Sequence, residues 1–291
     1  MFSNFILHII ITAIIFTVIA SGFKFFIKLK WGLDFSYIAI IMFASYIGAL
    51  ININLGIWIL WCIGISFLAA IPFTFLILFL SSKLNDVYFT IGTFALYMLV
   101  YQLAYNLEGV TWWALWLSGI SRNLIGGIVL QSLWQFFIFW AIVIAIVVGF
   151  LIYFKRTYIY KILTWRWENL LSVKSLWTSI NKYKTAMILV TTALAVIWWN
   201  LFSFYYLYID PSSFWIGMLE LALVIVFVSY KWNDGGTLIV GLLVTFFYEY
   251  LRFFKIVDPS KLGYFREMLF GAMIVIVSFI VFRKTKFGRD V

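Results

Sequence analysis

The sequence predicts an all-α polytopic helical membrane bundle, and three observations predict it. Of 291 residues, 65% are hydrophobic and 11% charged, where a soluble domain carries about 25% charged residues. The apolar residues fall into nine long stretches whose length suits the roughly 20 residues a helix needs to cross a bilayer. Those stretches are continuous rather than alternating, which excludes a membrane β-barrel. A mean hydropathy of +1.07 agrees. The chain reads as one transmembrane domain, 1–291, with no soluble domain at either end.

The nine predicted spans are approximately 5–22, 35–51, 56–80, 87–105, 127–153, 186–208, 213–230, 236–254 and 264–282. The first lacks a basic start and a small-residue cleavage site, so it reads as a retained helix rather than a signal peptide. His8 within it reads as structural. The second is short and contains Ser45, Gly48 and Asn52. The third holds Cys62, the single cysteine, so no intrachain disulfide is possible. After the fourth come Trp112, Trp113 and Trp116, suited to an interfacial aromatic belt. The fifth ends at a basic interruption, 155–184, which holds seven of the 21 Lys and Arg. The seventh is short and carries Glu220. Short or interrupted spans tend to line a cavity, because lipid does not satisfy irregular backbone. The eighth carries Glu249, with Arg252 three residues on as a surface partner.

Charge sets the orientation. With the C-terminus cytoplasmic, 16 of the 21 basic residues fall on the cytoplasmic side, including Lys24, the 155–184 loop and the tail. Five fall outside: Arg122, Arg252, Lys255, Lys261 and Arg266. Basic residues favour the cytoplasmic side, so the N-terminus is expected outside. The net charge of +10 follows this topology and does not point to nucleic acid.

Catalytic chemistry is absent from the sequence. One histidine supports neither a His-rich metal site nor a Ser-His pair, and no phosphate-binding loop, CxxC or HExxH occurs. No catalytic residue, metal or cofactor is therefore expected, and the chain should not hydrolyse ATP by itself. Glu220 and Glu249 are intramembrane carboxylates. Such groups are costly and mark functional sites, but an interhelical hydrogen bond or a protonated acid would also account for them.

Five segments carry a resemblance. Residues 81–95 read S-S-K-L-N-D-V-Y-F-T-I-G-T-F-A, with Tyr88, Phe89, Ile91 and Thr93 in the positions of an L-R-G-x-Y-F-x-I-x-T motif. Asn106, Thr111, Leu117, Ser118, Gly119 and Ile120 match N-x4-T-G-G-x3-L-S-G-I, with Trp112-Trp113 for Gly-Gly. Glu168-Asn169 followed by Tyr183-Lys184 matches an R-E-N-E segment and its later Y-K pair. Residues 208–214 resemble a short outer turn, and Gly235-Gly236-Thr237-Leu238 a Gly-rich turn. In order and at this spacing, over roughly residues 30–285, they resemble permeases of branched-chain amino acid ABC importers, the LivM type, whose wider family includes urea and amide permeases. There are departures. Trp167 stands where the family has Arg, with Arg166 one place earlier, and Ser172, Val173 and Trp177 replace small residues of the coupling loop.

The resemblance implies a permease subunit in the cytoplasmic (inner) membrane. It would work with a second homologous permease subunit, cytoplasmic ABC ATPase subunits and an extracytoplasmic substrate-binding protein. The 155–184 loop then becomes the ATPase-coupling element, with Arg166, Glu168, Asn169, Trp177, Tyr183 and Lys184 as coupling residues. Two short helices are expected there, with Tyr183-Lys184 leading into the sixth span. A basic interfacial helix on anionic membrane lipid is the competing reading of that loop. Candidate translocation-pathway residues are Tyr88, Phe89, Thr93, Asn200 and Glu220, with helix packing the alternative for Tyr88 and Phe89. Branched-chain or other amino acids, urea and short amides remain open as substrates. A secondary transporter would show inverted repeats and paired ionisable groups, and neither is evident. A non-transporting scaffold remains an alternative.

Overall fold

The computed structural model describes residues 2–28, 34–106, 117–123, 129–162, 180–214, 216–230, 232, 234–251 and 261–282. The helices are α1 (Phe2–Lys28), α2 (Ser36–Leu55), α3 (Ile59–Lys83), α4 (Asp86–Asn106), α5 (Leu133–Arg156), α6 (Ile180–Tyr206), α7 (Ile216–Val228), α8 (Asp234–Tyr250) and α9 (Leu262–Phe282). Each expected span has its helix, and the protein is a multi-pass membrane bundle. Seven of these helices are long and apolar enough to cross a membrane, while α8 is shorter and α7 has 13 residues.

Several boundaries differ from the sequence expectation by a few residues, and three of the differences bear on the argument. The second span is not short: α2 runs 20 residues to Leu55. It stops at Gly56, which adopts the left-handed conformation (φ 60°) and donates its N–H to Asn52 O, a backbone shape glycine takes without steric cost. The fifth helix starts at Leu133 instead of 127, because Ser132 and Gln135 form a reciprocal capping box that satisfies the first free N–H groups. The sixth begins at Ile180, so Tyr183 and Lys184 lie inside α6 rather than leading into it.

The chain divides into two compact units, residues 25–214 and residues 1–24 with 215–291. In the larger unit, α2, α3 and α6 pack together, with α4 against α2 and α3. The buried face of α3 is Ile59, Cys62, Ser66, Ala70, Thr74 and Ile77, a spacing of three and four residues that draws small side chains into one stripe. Strand β1 (Leu117–Ser118) pairs antiparallel with β2 (Tyr208–Ile209). Arg122 finishes that corner: its Nε donates to Phe204 O at 2.8 Å and its Nη2 to Tyr205 O at 2.6 Å. A cation there complements the exposed carbonyls and the negative dipole end of α6. Its guanidinium also lies 5.0 Å from the Phe136 ring centroid.

In the smaller unit, α7 packs on α8 and α9. Close approach of α8 to α1 depends on Gly241, where a Cβ would stand 2.0 Å from Thr17 Oγ1. Lys24, counted above with the cytoplasmic charges, is 3% exposed on α1. Its Nζ donates to Ser229 O at 2.7 Å, Trp232 O at 2.9 Å and Thr237 Oγ1 at 2.5 Å. The ammonium thus caps the C-terminal end of α7 and ties it to the first turns of α8.

Candidate functional site

Within the larger unit, α2 places Asn52, Gly48 and Ser45 on one face, at spacings of four and three residues. This face meets the small-residue stripe of α3 and the Asn200 side of α6. Gly48 is the point of closest approach. A Cβ there would stand 2.8 Å from Ser66 Oγ and 3.2 Å from Asn200 Oδ1. Asn200 is 1% exposed and Ser66 fully buried. Asn200 Nδ2 donates to Val196 O at 2.8 Å, one turn back on its own helix. Ser66 Oγ has no hydrogen-bond partner among the described residues.

The polar groups form a column. At one end Asn52 bolts the 117–123 segment to α2: Ser121 N donates to Asn52 Oδ1 at 2.7 Å, and Asn52 Nδ2 donates to Ile57 O at 2.9 Å and Ser121 O at 3.3 Å. At 1.5 Å per residue, Gly48, Ser66 and Asn200 lie about 10 Å below the Gly56 end of the helices, and Thr74 and Thr192 about 21 Å below it. The two threonine hydroxyls hydrogen-bond across α3 and α6 at 3.0 Å. Every side chain in this column except that of Gly48 is small and polar, and the column is closed. An aromatic wall stands beside it: Trp199 is fully buried and lies 4.1 Å from Phe214, ring centroid to centroid.

The expected pathway residues separate. Asn200 is in the column. Phe89 and Thr93 are buried one turn apart on α4, at 3% and 0% exposure, whereas Tyr88 points away at 64%. Thr93 accepts a 3.3 Å hydrogen bond from Phe35 N and donates to Thr90 O, so it holds the start of α2. Gly48 lies 13 residues further along α2, so Thr93 and Asn200 serve levels about 20 Å apart. Glu220 belongs to the other unit. Its Oε2 is buried without a hydrogen-bond partner among the described residues, and Glu267 is a charged neighbour.

Of the coupling residues, Lys184 Nζ donates to Ser81 O at 3.3 Å, tying the start of α6 to the end of α3, and Tyr183 packs edge-on against Tyr158. Arg166, Glu168, Asn169 and Trp177 lie outside the described residues, as do Trp112, Trp113, Trp116 and Arg252.

Sequence reasoning missed several residues. Gly48 and Ser45 were visible only as weak points of a span, although their register with Asn52 marks one face. Asp34 went unremarked. It is 1% exposed and accepts from Ser36 N at 2.9 Å and from Ser36 Oγ, just ahead of α2, and burial pushes its carboxyl up to about 6. Arg266, counted among the charges on the outer side, is the fifth residue of α9 and buried.

A family model described as "Branched-chain amino acid transport system / permease component" matches residues 5–278. No curated protein and no solved structure matches the chain.

Proposed function

This chain belongs to the family of permease components of branched-chain amino acid transport systems, and from that premise we propose that it forms the translocation pathway of an ABC importer for a small polar solute. Branched-chain or other amino acids are the leading candidates. It acts as one transmembrane domain in the cytoplasmic membrane, with the N-terminus outside and the C-terminus inside. A second homologous permease subunit completes the pore, separate ATPase subunits supply the energy, and an extracytoplasmic substrate-binding protein delivers the solute. The single observation that supports the pathway reading most is the buried polar column of Asn52, Gly48, Ser66, Asn200, Thr74 and Thr192. A hydrocarbon-facing helix has no use for such groups, and a seam of small polar residues lets helices meet closely and part again.

In this reading, ATP-driven closure of the ATPases moves the 155–184 loop, and α5 and α6, which flank it, carry that motion into the column. Lys184 on Ser81 O passes it to α3. This is coupling through a two-state packing arrangement, with no chemistry on the permease chain.

The loop contact gives the experiment. Interface energy concentrates in buried aromatic anchors. Trp177→Ala is therefore expected to weaken ATPase binding by more than about 1 kcal/mol and to lower ATP-driven uptake, while the rim substitution Lys174→Ala costs much less. Pull-down of the ATPase with each variant, together with uptake, reads the difference. Intact binding with Trp177→Ala and lost binding with Lys174→Ala would make the loop an electrostatic contact and refute the docking model.

A further inference from the structure

We propose that Arg266 is an oxyanion-binding residue, with its Nε–Nη2 edge set to take one carboxylate or phosphate group side-on. Arg266 is 9% exposed, and neither Nε nor Nη2 has a hydrogen-bond partner among the described residues. Two unpaired donors on a buried cation cost several kcal/mol unless an acceptor meets them. The position is not forced by the helix. Tyr264 and Met268, on the same helix, are 76% and 64% exposed, so α9 has outward-facing positions from which an arginine would snorkel to water.

The group is also held. Its carbon Cζ lies 4.4 Å from the Tyr248 ring centroid, and Tyr248 is braced edge-on by Phe270 at 5.5 Å. Phe270 is itself 2% exposed. The ring covers the guanidinium and leaves Nε and Nη2 as buried donors with no hydrogen-bond partner among the described residues. Nε–H and the adjacent Nη2–H point the same way, and together they match the two oxygens of a carboxylate or phosphate. Two described carboxylates, on α9 and on the neighbouring α8, do not serve. Glu267 is exposed, and no described carboxylate, Glu249 on α8 (6% exposed) included, hydrogen-bonds to either atom. Both donors face protein, so an entering anion shifts the side chains around them, and the affinity carries that cost.

The chemistry has two sources, a dissolved carboxylate or the phosphate of an anionic phospholipid, and the test separates them. The purified chain, stripped of lipid in mild detergent, is melted with dioleoyl phosphatidylglycerol against dioleoylglycerol, and with sodium acetate against sodium chloride at equal ionic strength. At 100-fold excess over its Kd, an oxyanion that binds the native state should raise the melting midpoint by roughly 5 °C. That shift should vanish in Arg266→Met and in Arg266→Lys, and persist in Lys261→Met, where an exposed neighbouring charge is removed. A response to acetate assigns the site to soluble carboxylates. A response confined to phosphatidylglycerol assigns it to lipid phosphate. If Arg266→Met fails to fold, Arg266→Lys keeps the charge without the fork and carries the test. No stabilisation by either oxyanion, or a shift that survives Arg266→Lys, overturns the proposal.

Discussion

Gly48→Leu should abolish uptake, and Gly48→Ala should weaken it. At Gly48 even a methyl group meets Ser66 Oγ at 2.8 Å and Asn200 Oδ1 at 3.2 Å, both well inside ordinary contact. The Ser66 hydroxyl has no partner holding it and can turn aside for a methyl. The Asn200 amide is anchored to Val196 O and cannot yield to an isobutyl group. Overpacking a closed seam typically costs about 1–3 kcal/mol, and a leucine here also wedges α2 away from α6. The alanine variant provides a check internal to the site. Ser66→Ala removes the atom that clashes, so Gly48→Ala with Ser66→Ala should recover most of the loss, with a coupling of at least about 0.5 kcal/mol. Uptake rates and melting midpoints of the two single variants and the double variant decide it. Simple additivity would mean that the two residues do not touch.

The second large effect is expected at Lys24. Its ammonium bridges Ser229 O, Trp232 O and Thr237 Oγ1, and Ser229 and Thr237 are 0% and 1% exposed. Hydrogen bonds to a charged group contribute about 1.5–3 kcal/mol each, and a buried acceptor left alone adds its own penalty. Lys24→Met should therefore destabilise the chain by about 3 kcal/mol or more. Lys24→Arg should not restore it, because a planar fork does not fit three acceptors gathered around a point charge. Lys83→Met, at an exposed position on α3, should change stability by less than about 0.5 kcal/mol. Thermal unfolding in detergent measures all three. A midpoint for Lys24→Met that matches Lys83→Met would show that the α7–α8 turn does not depend on the ammonium.

Much of the fold was legible in the sequence, because lipid imposes a length and a composition on every span. All nine helices fall where apolar runs predict them. Their ends were less legible where hydropathy and helix formation part company. Val129 and Leu130 are apolar but precede the helix, and the true start was written in the Ser132–Gln135 pair. The first turn of α6 contains Lys182 and Lys184, so an apolar window begins too late. Helix-to-helix contacts were hardly legible, because a span buried among helices can present any face to its neighbours. Asn200 was singled out, but its partner Gly48 read as a defect in α2 rather than as a contact. Lys24 and Arg266 were read as loop charges, since positions a few residues inside a helix end look like flanks. The burial of both follows from partners about 200 residues away in sequence for Lys24 and on a neighbouring helix for Arg266.

The central claim is that separate ATPases drive solute through this chain. It is tested by reconstituting the chain into sealed vesicles, with and without the proposed ATPase and second permease subunit, and measuring uptake of labelled amino acids with ATP supplied on the ATPase side. Uptake is expected only when ATP and the ATPase are both present, and none from the chain alone under a proton or sodium gradient. Uptake by the chain alone, driven by such a gradient and indifferent to ATP, would contradict it.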